Sequence, residues 1–239
     1  MTHRLLAGLR WGRAAVTAVV TGVLVLGAGL LVGLVAESLQ GTVDEPYYDA
    51  VAAGGTDAWT DVVATLTTFG NVPQTRWWTA IIAVALAVWF ASRGWRWWVP
   101  LVVGPAAWLV EKAFQSVWAK VIDRDRELLA LIGTPIGNFP SGGVARTLVV
   151  FGTAAVLVVH YARTSRRTTT WLLVVAGLCG LAEAYFRARL NQHWLTDVVG
   201  GYLCGVMLVA AVWVTLRAWD PDPPRGPRAA DATGGRIGA

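Results

Sequence analysis

The chain has 239 residues, 55% of them apolar and only 15% charged, with a net charge of +5 and a mean hydropathy of +0.52. Soluble domains of this size carry about 25% charged residues, so a soluble globular domain and a disordered chain are both excluded. The basic balance does not point to nucleic acid, because the basic residues flank apolar runs and form no stripe interleaved with exposed aromatics. The composition is that of an integral membrane protein.

A bilayer core needs about 20 apolar residues per helix. The run 14–36 has no charge and is too long for the apolar core of a cleaved signal. Further runs follow at 77–91, at 97–110 continuing towards 114, at 147–162, at 171–186 and at 194–216. The expected fold is therefore all-α, a bundle of six transmembrane helices. The stretch 47–69 is mildly apolar but interrupted by Asp49, Asp57 and Asp61, and reads as an interfacial helix or loop. Residues 1–13 form a short leading segment, 14–217 the membrane domain, and 218–239 a tail rich in Pro, Gly and Asp that is expected to be disordered. No internal repeat is visible. Cys179 and Cys204 both fall inside apolar runs and give neither metal spacing nor a disulfide framework.

Orientation follows from the basic residues. One set of helix ends carries twelve basic residues and three acids, and the opposite set carries eight basic residues and twelve acids. Both termini are thus expected in the cytoplasm, with the connections 37–76, 111–146 and 187–193 outside. Tryptophans at 77–78, 95–98 and 194 fit interfacial belts.

The outer connections hold more chemistry than orientation requires. Lys112, Lys120, Arg124 and Arg126 precede the run Pro140-Ser141-Gly142-Gly143, which is followed by Arg146; Arg187, His193 and Asp197 lie between the last two spans. A hairpin of spans places the two stretches at one face. Arginines suit phosphate oxygens. Ser141, Gly142 and the start of a helix offer amide groups to an anion. His193 and Asp197 share a helix face, so the carboxylate can orient the imidazole as a nucleophile. Glu183, one turn before Arg187, is either an acid or the ion-pair partner of an arginine.

These residues resemble the type 2 phosphatidic acid phosphatase superfamily, in its membrane lipid phosphatase branch. The third motif of that family is matched by Arg187, His193 and Asp197 followed by Gly200-Gly201, with Phe186 in place of its leading Ser. The second is matched by Pro140, Ser141 and Gly142, with Gly143 in place of its His. The first is loose: Arg124 and Arg126 fit, but its Lys falls at Ala119, and Lys120 is one residue out of register.

The resemblance implies that His193 attacks phosphorus to form a phospho-histidine and that Asp197 orients it. Arg187, Arg126 and Ser141 would bind phosphate, with a Gly142 amide and with Lys120 in the role of the motif Lys; Arg124 and Arg146 join them as phosphate candidates on their charge and placement alone. No metal and no cofactor are expected, and the partners are a lipid phosphate and membrane lipids, with no nucleic acid. The general acid, which the family supplies from the His position now held by Gly143, has no occupant. A diphosphate leaving group tolerates that loss better than an alkoxide. Two readings stay open: a bacterial plasma-membrane phosphatase or phosphotransferase acting on polyprenyl or phospholipid phosphates, and a catalytically inactive relative that binds or carries them in envelope assembly.

Overall fold

The computed structural model describes residues 8–122, 124 and 128–224. Their elements are α1 (Trp11–Ser38), a π-helical turn (Gln40–Asp44), α2 (Glu45–Ala53), α3 (Ala58–Leu66), a 3-10 turn (Thr67–Gly70), α4 (Val72–Ser92), α5 (Trp98–Val121), α6 (Gly142–Ala162), α7 (Arg166–Arg189) and α8 (Leu195–Trp219). The described chain is all-helical, and five helices (α1, α4, α6, α7 and α8) are long and apolar enough to cross a membrane. Helix α5 has 24 residues but is diluted by Glu111, Lys112 and Lys120.

The helices outrun the apolar segments of the sequence because a helix does not stop at its first charge. Helix α5 continues past 114 to Val121 and α7 begins at Arg166. The 47–69 stretch folds into two helices of nine residues each. One of its interrupting carboxylates is a cap: Asp57 accepts from the Thr60 amide at 2.8 Å while the Thr60 hydroxyl accepts from the Asp57 amide at 3.1 Å.

Helix α6 is the axis of the bundle. It is apolar on all sides and buried along most of its length, as a helix without a polar face must be. It packs against α4, α5, α7 and α8. Helix α1 buries Val25, Gly29, Gly33 and Ala36 along one face, and the two glycines admit Trp118 of α5 and Ile122 just after it, the small-residue packing that membrane helices favour.

At one end of the bundle, Asp220 is buried and accepts from Arg96 Nε at 2.9 Å and from the Tyr161 hydroxyl at 2.8 Å. Its backbone carbonyl lies 2.8 Å from His160 Nε2. The packed chain therefore runs past the expected boundary at 217; the rest of the expected tail, 225–239, lies outside the described residues. At the other end three connections are knitted together. Gly137 donates to the Gln192 carbonyl at 2.7 Å, Leu131 to the Leu190 carbonyl at 2.9 Å, and Asn191 Nδ2 to the Tyr48 carbonyl at 3.0 Å.

Candidate active site

The knitted end centres on the N-terminus of α6. Ser141 is its N-cap residue, preceded by a cis peptide between Phe139 and Pro140. The Ser141 amide donates to the Asp197 carbonyl at 2.9 Å. This contact requires Gly201: a Cβ there would sit 2.5 Å from the Ser141 carbonyl oxygen. The first turn of α6 and the first turn of α8 are thus locked side by side, which brings the Pro-Ser-Gly run to the His-Asp pair. The Ser141 hydroxyl is fully buried and has no hydrogen-bond partner among the described residues.

His193 lies in the turn before α8, with Nδ1 3.8 Å from Asp197 Oδ2. That is ion-pair range and longer than a hydrogen bond. Its ring lies over Gly137, where any Cβ would fall inside the imidazole. Burial pushes the His193 pKa below its ordinary 6.5, against the opposing pull of Asp197. The other Asp197 oxygen accepts from Arg124, and the same guanidinium also binds Asp44 of the π-helical turn. Asp44 in turn accepts from the Thr196 amide at 2.8 Å and its hydroxyl at 2.7 Å. Asp44, Arg124 and Asp197 form a buried relay that fixes the carboxylate beside the imidazole.

Arg187 is held from four sides. It donates to Glu183 at 2.6 Å, Gln192 at 2.8 Å, Asn71 at 2.7 Å and the Thr67 carbonyl at 3.1 Å. Glu183 also accepts from the Thr67 hydroxyl at 3.0 Å. Gly143 and Gly70 leave room for this pair. A Cβ at 143 would lie 2.8 Å from Arg187 Nη2 and 2.9 Å from Glu183 Oε1, and one at 70 would overlap the Glu183 carboxylate. The place from which the family's second-motif His would project is filled by an ion pair. Of the two roles open to Glu183, the structure displays ion pairing.

Arg146, one turn into α6, donates to Gln115 at 3.1 Å and to the Gly70 carbonyl at 3.4 Å, and lies 3.8 Å from Glu111. Gln115 also accepts from Lys112 Nζ at 3.1 Å. Lys112 is therefore tied into the cluster through Gln115, whereas Lys120 is exposed on α5. Arg126 lies outside the described residues. His193 Nδ1, Asp197 Oδ2, Ser141 Oγ, Arg146 Nε and both Glu111 oxygens are buried without hydrogen-bond partners among the described residues. Buried polar atoms without partners are uncommon in folded proteins, and six of them gather at this end of the bundle.

Asp44, Asn71, Thr67, Gln115 and Gly137 were not singled out in the sequence. Asp44 and Gln115 join the site through long-range contacts. Gly137 carried a faint signal: a glycine three residues before Pro140 in a loop of otherwise ordinary residues.

No family model matches the chain, and no curated protein matches it. Among solved structures it is similar to a transmembrane PAP2 type phosphatidylglycerolphosphate phosphatase from Bacillus subtilis, with a TM-score of 0.66 over 80% of this chain and 94% of that one. The chain has the fold of that membrane phosphatase. At 20% identity the likeness is one of fold, and with the five apolar helices it makes this a multi-pass membrane protein.

Proposed function

We propose that the chain is a membrane lipid phosphatase of the type 2 phosphatidic acid phosphatase superfamily, acting on polyprenyl or phospholipid phosphates and diphosphates. The observation that supports it best is the convergence at the α6 N-terminus of a buried His-Asp pair, two arginines and the unpartnered Ser141 hydroxyl.

His193, held neutral by burial, attacks phosphorus through its ring nitrogen, and the bond to the bridging oxygen breaks. Asp197, fixed by Arg124 and Asp44, stabilises the imidazolium form that develops. Arg187, Arg146, the Ser141 hydroxyl and the amides of Gly142 and Gly143 receive the phosphoryl oxygens. Lys112, through Gln115, replaces Lys120 as the lysine of the first motif. Water then cleaves the phosphorus–nitrogen bond, releasing phosphate and restoring His193. On this reading α5 is the sixth span, its charged half facing the site. The site lies at the outer face of a bacterial plasma membrane, with both termini cytoplasmic.

Purified protein in detergent is expected to release phosphate from a polyprenyl diphosphate and to trap radiolabelled phosphate on His193 after acid-free quenching in alkali. Release that persists in His193→Ala overturns the mechanism. One observation favours the second reading, a non-catalytic lipid-phosphate binder: the protein's own groups occupy most Arg187 donors. Lipid-phosphate binding without release by any version would select it.

A further inference from the structure

Three arginines line one cleft at the Asp220 end of the bundle, the end opposite His193. The cleft has a volume of about 480 Å³ and lies where α1 begins and α8 ends, with Arg10, Gly12, Arg13 and Thr17 on one side and Arg217 and Pro221 on the other. The two sides come from opposite ends of the chain. They are tied by the Arg10 amide, which donates to the Trp219 carbonyl at 2.8 Å, so the backbone of the fold shapes the cleft.

The positive charge of this cleft is not compensated. Among the described residues no carboxylate pairs with Arg10, Arg13 or Arg217, and Asp220 is turned inward to Arg96 and Tyr161. Arg217 rests over the Trp213 ring, 5.5 Å from its centroid, which supports the cation without neutralising it. Helix α1 also begins here without a side-chain cap and without an acid in its first turn, leaving its first amides to carry the positive end of the helix. Gly12 keeps the approach to them open: a Cβ there would meet nothing within 4 Å. Orientation in a membrane calls for cations at one end. It does not call for three of them to share a cleft with an uncapped helix end, where their mutual repulsion is offset only by an anion.

We propose that this cleft is a second lipid site, separate from the active site, which binds the phosphate of an anionic phospholipid in the leaflet bordering the Asp220 end. Arg10, Arg13 and Arg217 supply forked donors to the phosphate oxygens, and the first amides of α1 face the same anion. The occupant is a lipid and not free phosphate because apolar surface begins where the cations stop. Arg13, Val16 and Val20 follow one helix face. Val16 lines the cleft, and both valines are more than half exposed, which gives an acyl chain a wall to lie on. On the orientation proposed above this is the cytoplasmic leaflet, the one that holds anionic lipid. The site stands whether or not the chain is a phosphatase.

Native mass spectrometry of the purified full chain in detergent tests this, with phosphatidylglycerol as the anionic lipid and phosphatidylcholine as its zwitterionic counterpart. Phosphatidylglycerol is expected to be retained over phosphatidylcholine, and retention should weaken about thirtyfold in Arg13→Gln/Arg217→Gln, on the scale of one favourable contact per arginine. Arg166→Gln/Arg167→Gln is the control: it removes two exposed arginines at the same end but outside the cleft, and should retain the lipid as the unsubstituted chain does. Equal loss in both pairs means a general charge effect and overturns the site, as does equal retention of the two lipids. Gly12→Asp guards against a misfolded variant. An acid in the first turn of a helix favours the helix, so Tm should hold or rise while the new carboxylate takes the place of the phosphate and retention falls. Undiminished retention in Gly12→Asp overturns the proposal. Inorganic phosphate at the lipid's concentration should displace little of it; full displacement makes this a site for the free anion and overturns the lipid assignment.

Discussion

The two ends of the bundle each bury arginines against carboxylates, and they use them differently. At the Asp220 end, Arg96, Tyr161 and His160 close on a single residue, and the rings of Trp11 and Trp98 pack edge-on against its chain neighbour Trp219. The groups left over there are two indole N–H groups, of Trp95 and Trp219, and one Asp220 oxygen, donors and an acceptor of the same cluster. At the α6 N-terminal end the leftover atoms belong to an imidazole, a hydroxyl, a guanidinium and two carboxylates. The first arrangement fastens the chain after α8 to the helices it follows. The second holds each charge in position and leaves reactive atoms over. An arginine-carboxylate pair is thus no sign of a site by itself; what sets this end apart is the gathering of an imidazole, a hydroxyl and a guanidinium whose buried atoms lack hydrogen-bond partners among the described residues.

The sharpest break of that comparison is a pair of substitutions. His193→Ala should reduce phosphate release to background, a fall on the order of 10⁴-fold or more by comparison with other covalent nucleophiles, with little change in Tm. Asp220→Asn should do the reverse, costing about 3 kcal/mol by stranding the buried Arg96 while the folded fraction keeps its kcat. Comparable effects of both on kcat would erase the distinction between the ends. Next in size is Arg124→Lys. A lysine cannot fork between Asp44 and Asp197, so Asp197 loses its anchor and kcat should drop about 10²-fold, the scale of a 1 Å misplacement. If Arg124 instead gripped substrate, KM would rise and kcat would hold.

How much of this was legible in the sequence follows the range of the interactions. Glu183 and Arg187 are one helical turn apart, and helix spacing alone pairs them; His193 lies in the turn before α8 and not on the helix face that the spacing predicts, yet its Nδ1 comes within 3.8 Å of Asp197. The cluster of charges at one membrane face also follows from the count of spans. What spacing could not give is which charges are already taken. Arg124 looks like a phosphate ligand until Asp44, 80 residues earlier, is found on its other side. Lys120 fits the motif register better than Lys112, yet the turn of α5 and the reach of Gln115 tie Lys112 to Arg146. Helix ends were missed by several residues because the hydrophobic signal reports the bilayer and not the hydrogen-bonded ladder.

A smaller effect concerns the absent acid. With no proton donor at 143, a diphosphate should be turned over about 10²-fold faster than the matching monophosphate, the lower range of what general acid catalysis contributes. Equal rates would mean that another group donates. Gly143→His should not restore the monophosphate reaction, because the new side chain must displace Glu183 and Arg187. It should lower stability by about 1–3 kcal/mol, as overpacking does. A gain of activity in Gly143→His would show that the ion pair yields easily and that the site lacks only a proton.

The smallest effect is in the titration of His193, and its sign separates burial from ion pairing. Were Asp197 dominant, the imidazole would charge more readily than in water and its pKa would rise above 6.5. Burial dominates instead and lowers it. The unfolded chain then takes up a proton at 6.5 that the folded chain refuses until lower pH, so this residue's contribution to stability is unchanged above pH 6.5 and declines as pH falls from 6.5 to the folded value. The ring-carbon NMR shift of His193, assigned by its loss in His193→Gln, should therefore titrate below 6.5, and Asp197→Asn should move the midpoint lower still. A midpoint above 6.5 would place the imidazole in closer contact with Asp197 than the 3.8 Å seen here, and would make His193 a charged member of an ion-pair network like Arg96 at the opposite end, with no free nucleophile at neutral pH.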